Sequence, residues 1–212
     1  MISEKLFKRE TLASSVAIMV VSGNDYTKFA VVDNPNATPK EWKDFISKLI
    51  DQMIVNIKRI RKMGINRIGI NGISPLGCLP AAAKRRNYTE CDRFSNELSE
   101  FHNDVLKEEI SKMNETNPAR YVYIDLYKAF LGSIRRRERV STENQLKSCC
   151  RSLEEPYQCG SVDENGSKQY TVCNNTKTFF YWDKEHPSQQ GWKDVYLILR
   201  PTLRQLTSVL SE

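Results

Sequence analysis

The sequence predicts an α/β fold built around a parallel sheet. Three short segments that read as strands, near 16–21, 67–72 and 121–125, each come before a segment with helical periodicity. Strands and helices that alternate in this way are typical of βαβ units, whose strands pair in parallel. The 212 residues are within the range of one α/β domain, and we expect residues 1–212 to form a single domain.

The first strand and the helix after it have the clearest signals. The run Val16–Val21 is apolar without alternation, which predicts a strand buried on both faces. Thr38 can cap the next helix, with Pro39 at its first position and Glu41 completing a capping box. An apolar stripe then recurs every three or four residues, and Gly64 is a natural C′ residue. The stripe consists of Trp42, Phe45, Ile46, Leu49, Ile50, Met53, Ile57 and Ile60.

The remaining elements follow in alternation. Residues 141–178 have little periodicity, contain four cysteines and predict a long excursion tied by disulfides. Pro201 should interrupt the last helix or begin a new turn. The other predicted elements are strands at Arg67–Gly72 and Tyr121–Asp125, and helices at Cys91–Met113, Leu126–Arg137 and Pro187–Leu199.

Composition and charge exclude several classes of protein. The chain is 40% hydrophobic and 27% charged, with a net charge of +6 and a mean hydropathy of −0.54. These values exclude a collagenous, grossly disordered or membrane-spanning chain, and the apolar residues 12–21 are too few to span a bilayer. The basic run Arg135–Arg139 could bind nucleic acid or an anionic membrane, but a solvated helix end is the simpler interpretation. No aromatic residues interleave this run, so we expect no nucleic-acid partner.

Cysteines and glycosylation motifs indicate an oxidising, glycosylating compartment. The chain has six cysteines and five N-x-Ser/Thr motifs, beginning at Asn36, Asn87, Asn114, Asn165 and Asn174. The first ten residues lack the apolar region of a signal peptide. Two alternatives follow: the protein stays in the cytosol, or the N-terminal part of a secreted protein is missing.

Four segments together identify a family. They are Ser22–Tyr26 (Ser-Gly-Asn-Asp-Tyr), Ile73–Pro80 (Ile-Ser-Pro-Leu-Gly-Cys-Leu-Pro), the cysteines from Cys149 to Cys173, and Phe180–Pro187 (Phe-Tyr-Trp-Asp-Lys-Glu-His-Pro). In this order and spacing they resemble the plant GDSL esterase/lipases, a branch of the SGNH hydrolases. The resemblance runs from about residue 12 to the end. It implies a flavodoxin-like three-layer α/β/α sandwich, and a secreted or extracellular protein.

The resemblance also assigns three site residues. His186 corresponds to the general base and Asp183 to the carboxylate that orients it, because a neutral histidine needs a fixed tautomer to take a serine proton. Asn24 corresponds to the side-chain amide that stabilises the oxyanion. The simpler alternatives are that Asp183 is a turn residue, His186 a surface histidine and Asn24 a turn former. The other histidine, His102, is expected to be structural or solvent-facing.

The nucleophile of the family does not occur in this chain. The family carries it in a Gly-Asp-Ser segment, and neither that tripeptide nor a Gly-x-Ser-x-Gly elbow is present. Ser22 also stands where the family more often has glycine. We therefore expect an N-terminally truncated family member that is inactive as this chain. In the family's sheet order 2-1-3-4-5, the strand at Val16–Val21 would become a sheet edge, prone to aggregation or loose folding.

The family reaction is hydrolysis of acyl or acetyl esters through an acyl-serine, without metal or cofactor. The expected partner is a small-molecule or lipid ester, with no membrane span. The alternative is a non-catalytic member that binds a ligand or has no function.

The cysteine spacing favours disulfides over zinc, because the only close pair is Cys149-Cys150 and zinc sites usually show Cys-x₂₋₄-Cys. Adjacent cysteines seldom pair, because the ring they would close is strained. Among Cys149, Cys150, Cys159 and Cys173 two connectivities remain possible, and Cys78 and Cys91 are left for each other.

Overall fold

The computed structural model describes residues 7–21, 23–116 and 119–207. The described residues form two compact units. The first contains residues 7–73, 98–126 and 199–207, and the second contains residues 74–97 and 127–198. The first six residues of the N-terminal segment, where no signal peptide is expected, lie outside the described part.

The first unit is built on a three-stranded parallel sheet. Its strands are β1 (Val16–Met19), β2 (Arg67–Asn71) and β3 (Arg120–Ile124), in the order β1-β2-β3. Ile18 lies opposite Gly69 in the register of β1 and β2. The parallel pairing confirms the α/β class. Ile68 and Ile70, which share one face of β2, are both 0% exposed, and Gly69 on the other face is also buried. Strand β2 is therefore buried on both of its faces, as a sheet covered by helices requires.

Strand β1 is shorter and more exposed than its sequence predicts. It ends at Met19, two residues before Val21, and within the described part of the chain it pairs with β2 alone. Ile18 is 56% exposed, so the expectation that both faces are buried is wrong. The physical reason is its edge position: among the described residues only β2 pairs with it, so fewer side chains cover the apolar run. The expectation of a sheet edge is confirmed for the described residues.

One long helix of the first unit begins and ends as predicted, and two short helices that precede it were not predicted. The two short ones are α1 (Arg9–Ser14) and α2 (Gly23–Lys28), and a π-helical turn at Phe29–Asp33 follows α2. Helix α3 (Pro39–Lys62) begins at the predicted capping box, in which Glu41 N donates to Thr38 Oγ1 at 3.3 Å and Thr38 N donates to Glu41 Oε2 at 2.7 Å. Gly64 has φ of +103° beyond its end, which suits glycine. The buried face of α3 consists of Trp42, Ile46, Ile50, Met53, Ile54 and Ile57.

Among the remaining helices the short α4 was not predicted, and the other three depart from prediction mainly at their ends. They are α4 (Pro80–Ala83), α5 (Arg93–Thr116), α6 (Leu126–Glu138) and α7 (Gln189–Thr207). The interruption expected at Pro201 is wrong, because α7 continues through it. A proline inside a helix costs about 3 kcal/mol. Leu199 and Leu206 are buried on either side of Pro201, at 8% and 1% exposure, and this burial offsets the lost hydrogen bond. None of the helices in the described residues is long and apolar enough to cross a membrane.

The disulfide-tied excursion lies in the second unit and contains a small unpredicted hairpin. Strands β4 (Cys150–Ser152) and β5 (Tyr170–Val172) pair antiparallel. The disulfides are Cys78–Cys91, Cys149–Cys173 and Cys150–Cys159. The predicted pairing of Cys78 with Cys91 is confirmed, and the structure selects one of the two connectivities left open. These three bonds include all six cysteines of the chain.

One arginine of the basic run is not solvated. Arg137 is 8% exposed, and its Nε donates to Asp194 Oδ2 at 2.5 Å while its Nη1 donates to the Lys177 carbonyl at 2.9 Å. Arg135, Arg136 and Arg139 are exposed. The predicted solvated helix end is therefore correct for three of the four arginines. Arg137 instead faces inward from α6 and contacts Asp194 of α7.

Candidate functional site

The segment before α7 forms a closed loop whose geometry is set mainly by backbone hydrogen bonds. Ser188 N donates to the Phe180 carbonyl at 2.8 Å, and Trp182 N donates to the His186 carbonyl at 2.8 Å. Ser188 Oγ also accepts from Gly191 N at 3.0 Å, in the first turn of α7. The loop between Phe180 and Ser188 is thus closed at its base, and its tip carries residues 183–186.

The tip of this loop brings Asp183 and His186 together. The ring nitrogen Nδ1 of His186 lies 2.9 Å from Asp183 Oδ2 and 3.0 Å from Oδ1. The backbone N–H groups of Glu185 and His186 donate to Asp183 Oδ1 at 2.8 and 2.7 Å. The carboxylate therefore organises the turn and contacts the imidazole at the same time. The expected hydrogen-bond distance between the two side chains is confirmed.

The two side chains differ in exposure. The His186 side chain is 70% exposed and the Asp183 side chain 24%. Partial burial raises the pKa of the Asp183 carboxyl. The hydrogen bonds from Glu185 N, the His186 ring and His186 N lower this pKa by more than burial raises it. The pKa of Asp183 therefore lies below its usual range. Asp183 is therefore an anion at neutral pH, beside the ring of His186.

This arrangement selects one histidine tautomer. A neutral imidazole with its proton on Nδ1 donates to the carboxylate and keeps a lone pair on Nε2, on the other side of the ring. Because His186 is largely exposed, Nε2 can meet a proton donor that approaches from outside the loop. Chemically the pair can therefore accept a proton from a hydroxyl group and stabilise the imidazolium that results.

A second loop supports the turn from its far side. Ala81 N, in the first turn of α4, donates to the Lys184 carbonyl at 3.0 Å. Helix α4 follows directly on the predicted Pro-Leu-Gly-Cys-Leu-Pro loop, which the Cys78–Cys91 disulfide closes. The sequence does not predict this contact. It joins two backbone atoms about a hundred positions apart, and no side-chain pattern signals it.

The third predicted site residue lies in the first unit. Asn24 is the second residue of α2 and is exposed. Ser22, which replaces the family glycine two positions earlier, lies outside the described residues. His102, expected to be structural or solvent-facing, is 0% exposed and contacts Tyr26 Oη through Nδ1 at 2.7 Å. His102 is therefore structural. The sequence had left open whether its side chain is buried or faces solvent.

Comparison with known proteins identifies the family to which the chain is similar. The model of the GDSL-like lipase/acylhydrolase family matches residues 7–196. The chain is 39% identical over 197 residues to GDSL esterase/lipase At5g03610 of Arabidopsis thaliana, covering 91% of this chain and 54% of the relative. It is 36% identical over 206 residues to GDSL esterase/lipase At3g09930 of the same plant, covering 95% and 57%.

A more distant similarity is to inactive GDSL esterase/lipase-like protein 25 of Arabidopsis thaliana, 21% identical over 184 residues that cover 86% of this chain and 42% of the relative. The chain spans about half the length of the curated relatives it matches, 54% and 57% of the first two.

Proposed function

The chain belongs to the GDSL-like lipase/acylhydrolase family, and from that premise we propose that it carries the base and oxyanion-binding residues of a carboxylic-ester hydrolase. His186 is the general base, Asp183 fixes its tautomer, and Asn24 donates its side-chain amide to the oxyanion. The observation that supports this most is the contact of His186 Nδ1 with both oxygens of Asp183, at 2.9 and 3.0 Å. Two backbone N–H groups also donate to the same carboxylate, as in an Asx turn, and they hold its oxygens beside the ring.

The proposed chemistry is acyl transfer through serine. A serine hydroxyl gives its proton to His186 Nε2 while its oxygen attacks the ester carbonyl, and the negative charge develops on the carbonyl oxygen. The imidazolium then returns the proton to the departing alcohol, and water hydrolyses the acyl-serine by the same path. Asn24 lowers the barrier by donating a hydrogen bond to the oxyanion. Substrates are small-molecule or lipid esters of acyl or acetyl groups, and the chemistry needs no metal or cofactor.

We propose that the chain by itself does not turn over, since no Gly-Asp-Ser tripeptide occurs in its 212 residues. The test compares the purified chain with its His186→Ala variant on p-nitrophenyl acetate. Equal rates are expected, because without a nucleophile only weak residual catalysis remains. Turnover by the chain that His186→Ala abolishes would show that another nucleophile serves the pair.

A gain-of-function test addresses the roles of the site residues. A segment that bears the family's Gly-Asp-Ser sequence is fused ahead of residue 7, and p-nitrophenyl ester hydrolysis is measured. We expect activity that falls by roughly a thousandfold or more in the His186→Ala and Asp183→Asn variants. Lys184→Ala is the matched control, because Lys184 contacts α4 through its backbone carbonyl alone. A fusion that is active and indifferent to His186 would refute the assignment.

The missing tripeptide also supports a second candidate function, a binding protein that holds an ester or fatty acid without hydrolysing it. Fluorescence titration of the chain with a fatty acid and with its methyl ester distinguishes the two. Saturable binding with no hydrolysis supports the binding protein. No binding, together with a hydrolytic fusion, supports the enzyme segment.

We propose a secreted or extracellular location. All six cysteines form disulfides, which persist in oxidising compartments. Four of the five glycosylation motifs present an exposed asparagine on a loop or turn, where a glycan meets solvent. These four are Asn36, Asn87, Asn165 and Asn174.

A further inference from the structure

Helix α5 carries two adjacent polar residues that are fully buried in the first unit. His102 is 0% exposed and Asn103 is 2% exposed. Their side chains contact the two segments that follow β1 and β2. Since these strands are parallel neighbours, both segments leave the sheet at its carboxyl-terminal edge, the edge where parallel α/β sheets place their sites.

The contact of His102 is with the segment after β1. Its Nδ1 lies 2.7 Å from Tyr26 Oη, and Tyr26 is 4% exposed. The Tyr26 ring also packs against Trp42 and Phe45 of α3, with centroid distances of 6.0 and 5.7 Å. Tyr26 therefore joins α2 to both α3 and α5. Asn24 lies two residues earlier on the same short helix.

The contact of Asn103 is with the segment after β2. Its Oδ1 accepts from Ile73 N at 2.8 Å, and its Nδ2 donates to the Ile73 carbonyl at 3.0 Å. One side chain thus satisfies both backbone groups of Ile73, as a neighbouring strand would. The approach is close, because a Cβ atom on Gly72 would lie 2.6 Å from Asn103 Oδ1 and 2.1 Å from Tyr123 Oη.

Core filling does not explain a histidine at position 102. Its Nε2 is buried and has no hydrogen-bond partner among the described residues, and an unpaired buried polar atom destabilises a fold. A leucine of similar size would fill the same space without that penalty. Burial also lowers the pKa of His102 to about 4, so at neutral pH the ring is uncharged. The interaction that explains a histidine at this position is its hydrogen bond with Tyr26.

We propose that His102 and Asn103 are positioning residues that hold the segments following β1 and β2, and that the Tyr26–His102 contact sets the position of Asn24. The link to catalysis rests on the proposed role of Asn24 as oxyanion donor. The contact by which His102 holds α2 in place does not depend on the role of Asn24, and it can be tested without any substrate.

The test measures hydrogen exchange in the full 212-residue chain, together with its global stability in urea. Tyr26→Phe and His102→Leu remove the contact, whereas His102→Asn keeps an amide where Nδ1 was. We expect the first two to speed exchange in residues 26–33 by about five- to tenfold, the effect of one net hydrogen bond on a local opening. His102→Asn should restore slow exchange. In every variant, exchange in β2 should stay unchanged.

Two further comparisons separate positioning from general stability. The double variant Tyr26→Phe/His102→Leu should loosen residues 26–33 without lowering the urea midpoint, because it removes the contact and the unpaired Nε2 together and leaves no buried hydroxyl without a partner. The double variant Tyr26→Phe/His102→Leu should exchange no faster than either single variant, as expected for one shared contact. Tyr196→Phe, at an exposed tyrosine of the second unit, is the matched control and should change nothing.

The proposal is overturned if exchange in residues 26–33 is the same in all variants, or if it rises only in proportion to a lower urea midpoint. If His102→Leu does not fold, the comparison of hydrogen exchange in residues 26–33 between Tyr26→Phe and Tyr196→Phe is sufficient to test the proposal. The role of Asn24 is tested separately, by Asn24→Ala in the hydrolytic fusion. Loss of activity there with unchanged exchange in Tyr26→Phe would refute the positioning contact and leave the proposed function standing.

Discussion

The ion pair between Arg137 of α6 and Asp194 of α7 is expected to be a main support of the second unit. The side chains are 9% and 15% exposed and lie 2.5 Å apart. Asp194 also accepts from Gln190 Nε2 at 2.9 Å. Asp194→Ala leaves the guanidinium of Arg137 buried beside one carbonyl oxygen and no carboxylate. Breaking a buried pair from one side costs about 3–5 kcal/mol, which is a large fraction of the roughly 5–15 kcal/mol that stabilises a typical domain.

Urea denaturation followed by circular dichroism measures this loss as a shift of the midpoint at constant slope. In a thermal scan the same loss corresponds to roughly 6–20 °C for a protein of this size. The double variant Arg137→Met/Asp194→Leu should recover most of the stability, because it leaves no buried charge without a partner.

The control is Asp44→Ala, which removes the exposed Lys40–Asp44 pair and should leave the midpoint unchanged. If Asp194→Ala lowers the free energy of unfolding by less than about 1 kcal/mol, the value of a surface ion pair, the buried pair does not support the second unit as predicted.

Three further predictions follow from single contacts. Gly191→Ala should destabilise the chain by about 1–3 kcal/mol in urea denaturation, because the new Cβ would lie 2.2 Å from the Phe180 carbonyl oxygen; an unchanged midpoint would contradict this. His102 has its pKa lowered from 6.5 to about 4, so the unfolded chain binds this proton first and stability is lost as pH falls from about 6.5 to 4. The stability of His102→Asn should fall less over that window, and identical pH profiles would contradict the burial argument. Asn114 should carry no glycan in the protein secreted from a eukaryotic host, since its Nδ2 donates to the Tyr121 carbonyl at 3.0 Å and its Oδ1 accepts from Tyr121 N at 3.2 Å; glycopeptide mapping that finds it occupied would refute this.

The elements predicted well are those whose signals are local. The start of α3 depends on Thr38 and Glu41, three residues apart, and both hydrogen bonds of its capping box form. The contact of Asp183 with His186 likewise spans three residues and closes within one turn. Such contacts need only the chain's own geometry, so the order of residues is sufficient to predict them.

The elements predicted poorly depend on neighbours that are distant in sequence. Val16–Val21 reads as a strand buried on both faces, yet β1 ends at Met19 and Ile18 is 56% exposed. Pro201 should interrupt a helix, yet α7 continues because Leu199 and Leu206 are buried on either side. In both cases a local preference is overridden by what packs against the segment, which no window of sequence contains.

By itself the sequence determined the α/β class, the parallel strands, the family and the pairing of Asp183 with His186. It also limited the disulfides to two connectivities. Only the tertiary structure selected Cys149–Cys173 and Cys150–Cys159, turned Arg137 inward and placed His102 against Tyr26. Arg137 and His102 are buried beside hydrogen-bond partners that lie 57 and 76 positions away, and the disulfides likewise join cysteines whose partners the spacing left open. In each case the fold alone brings the two groups together.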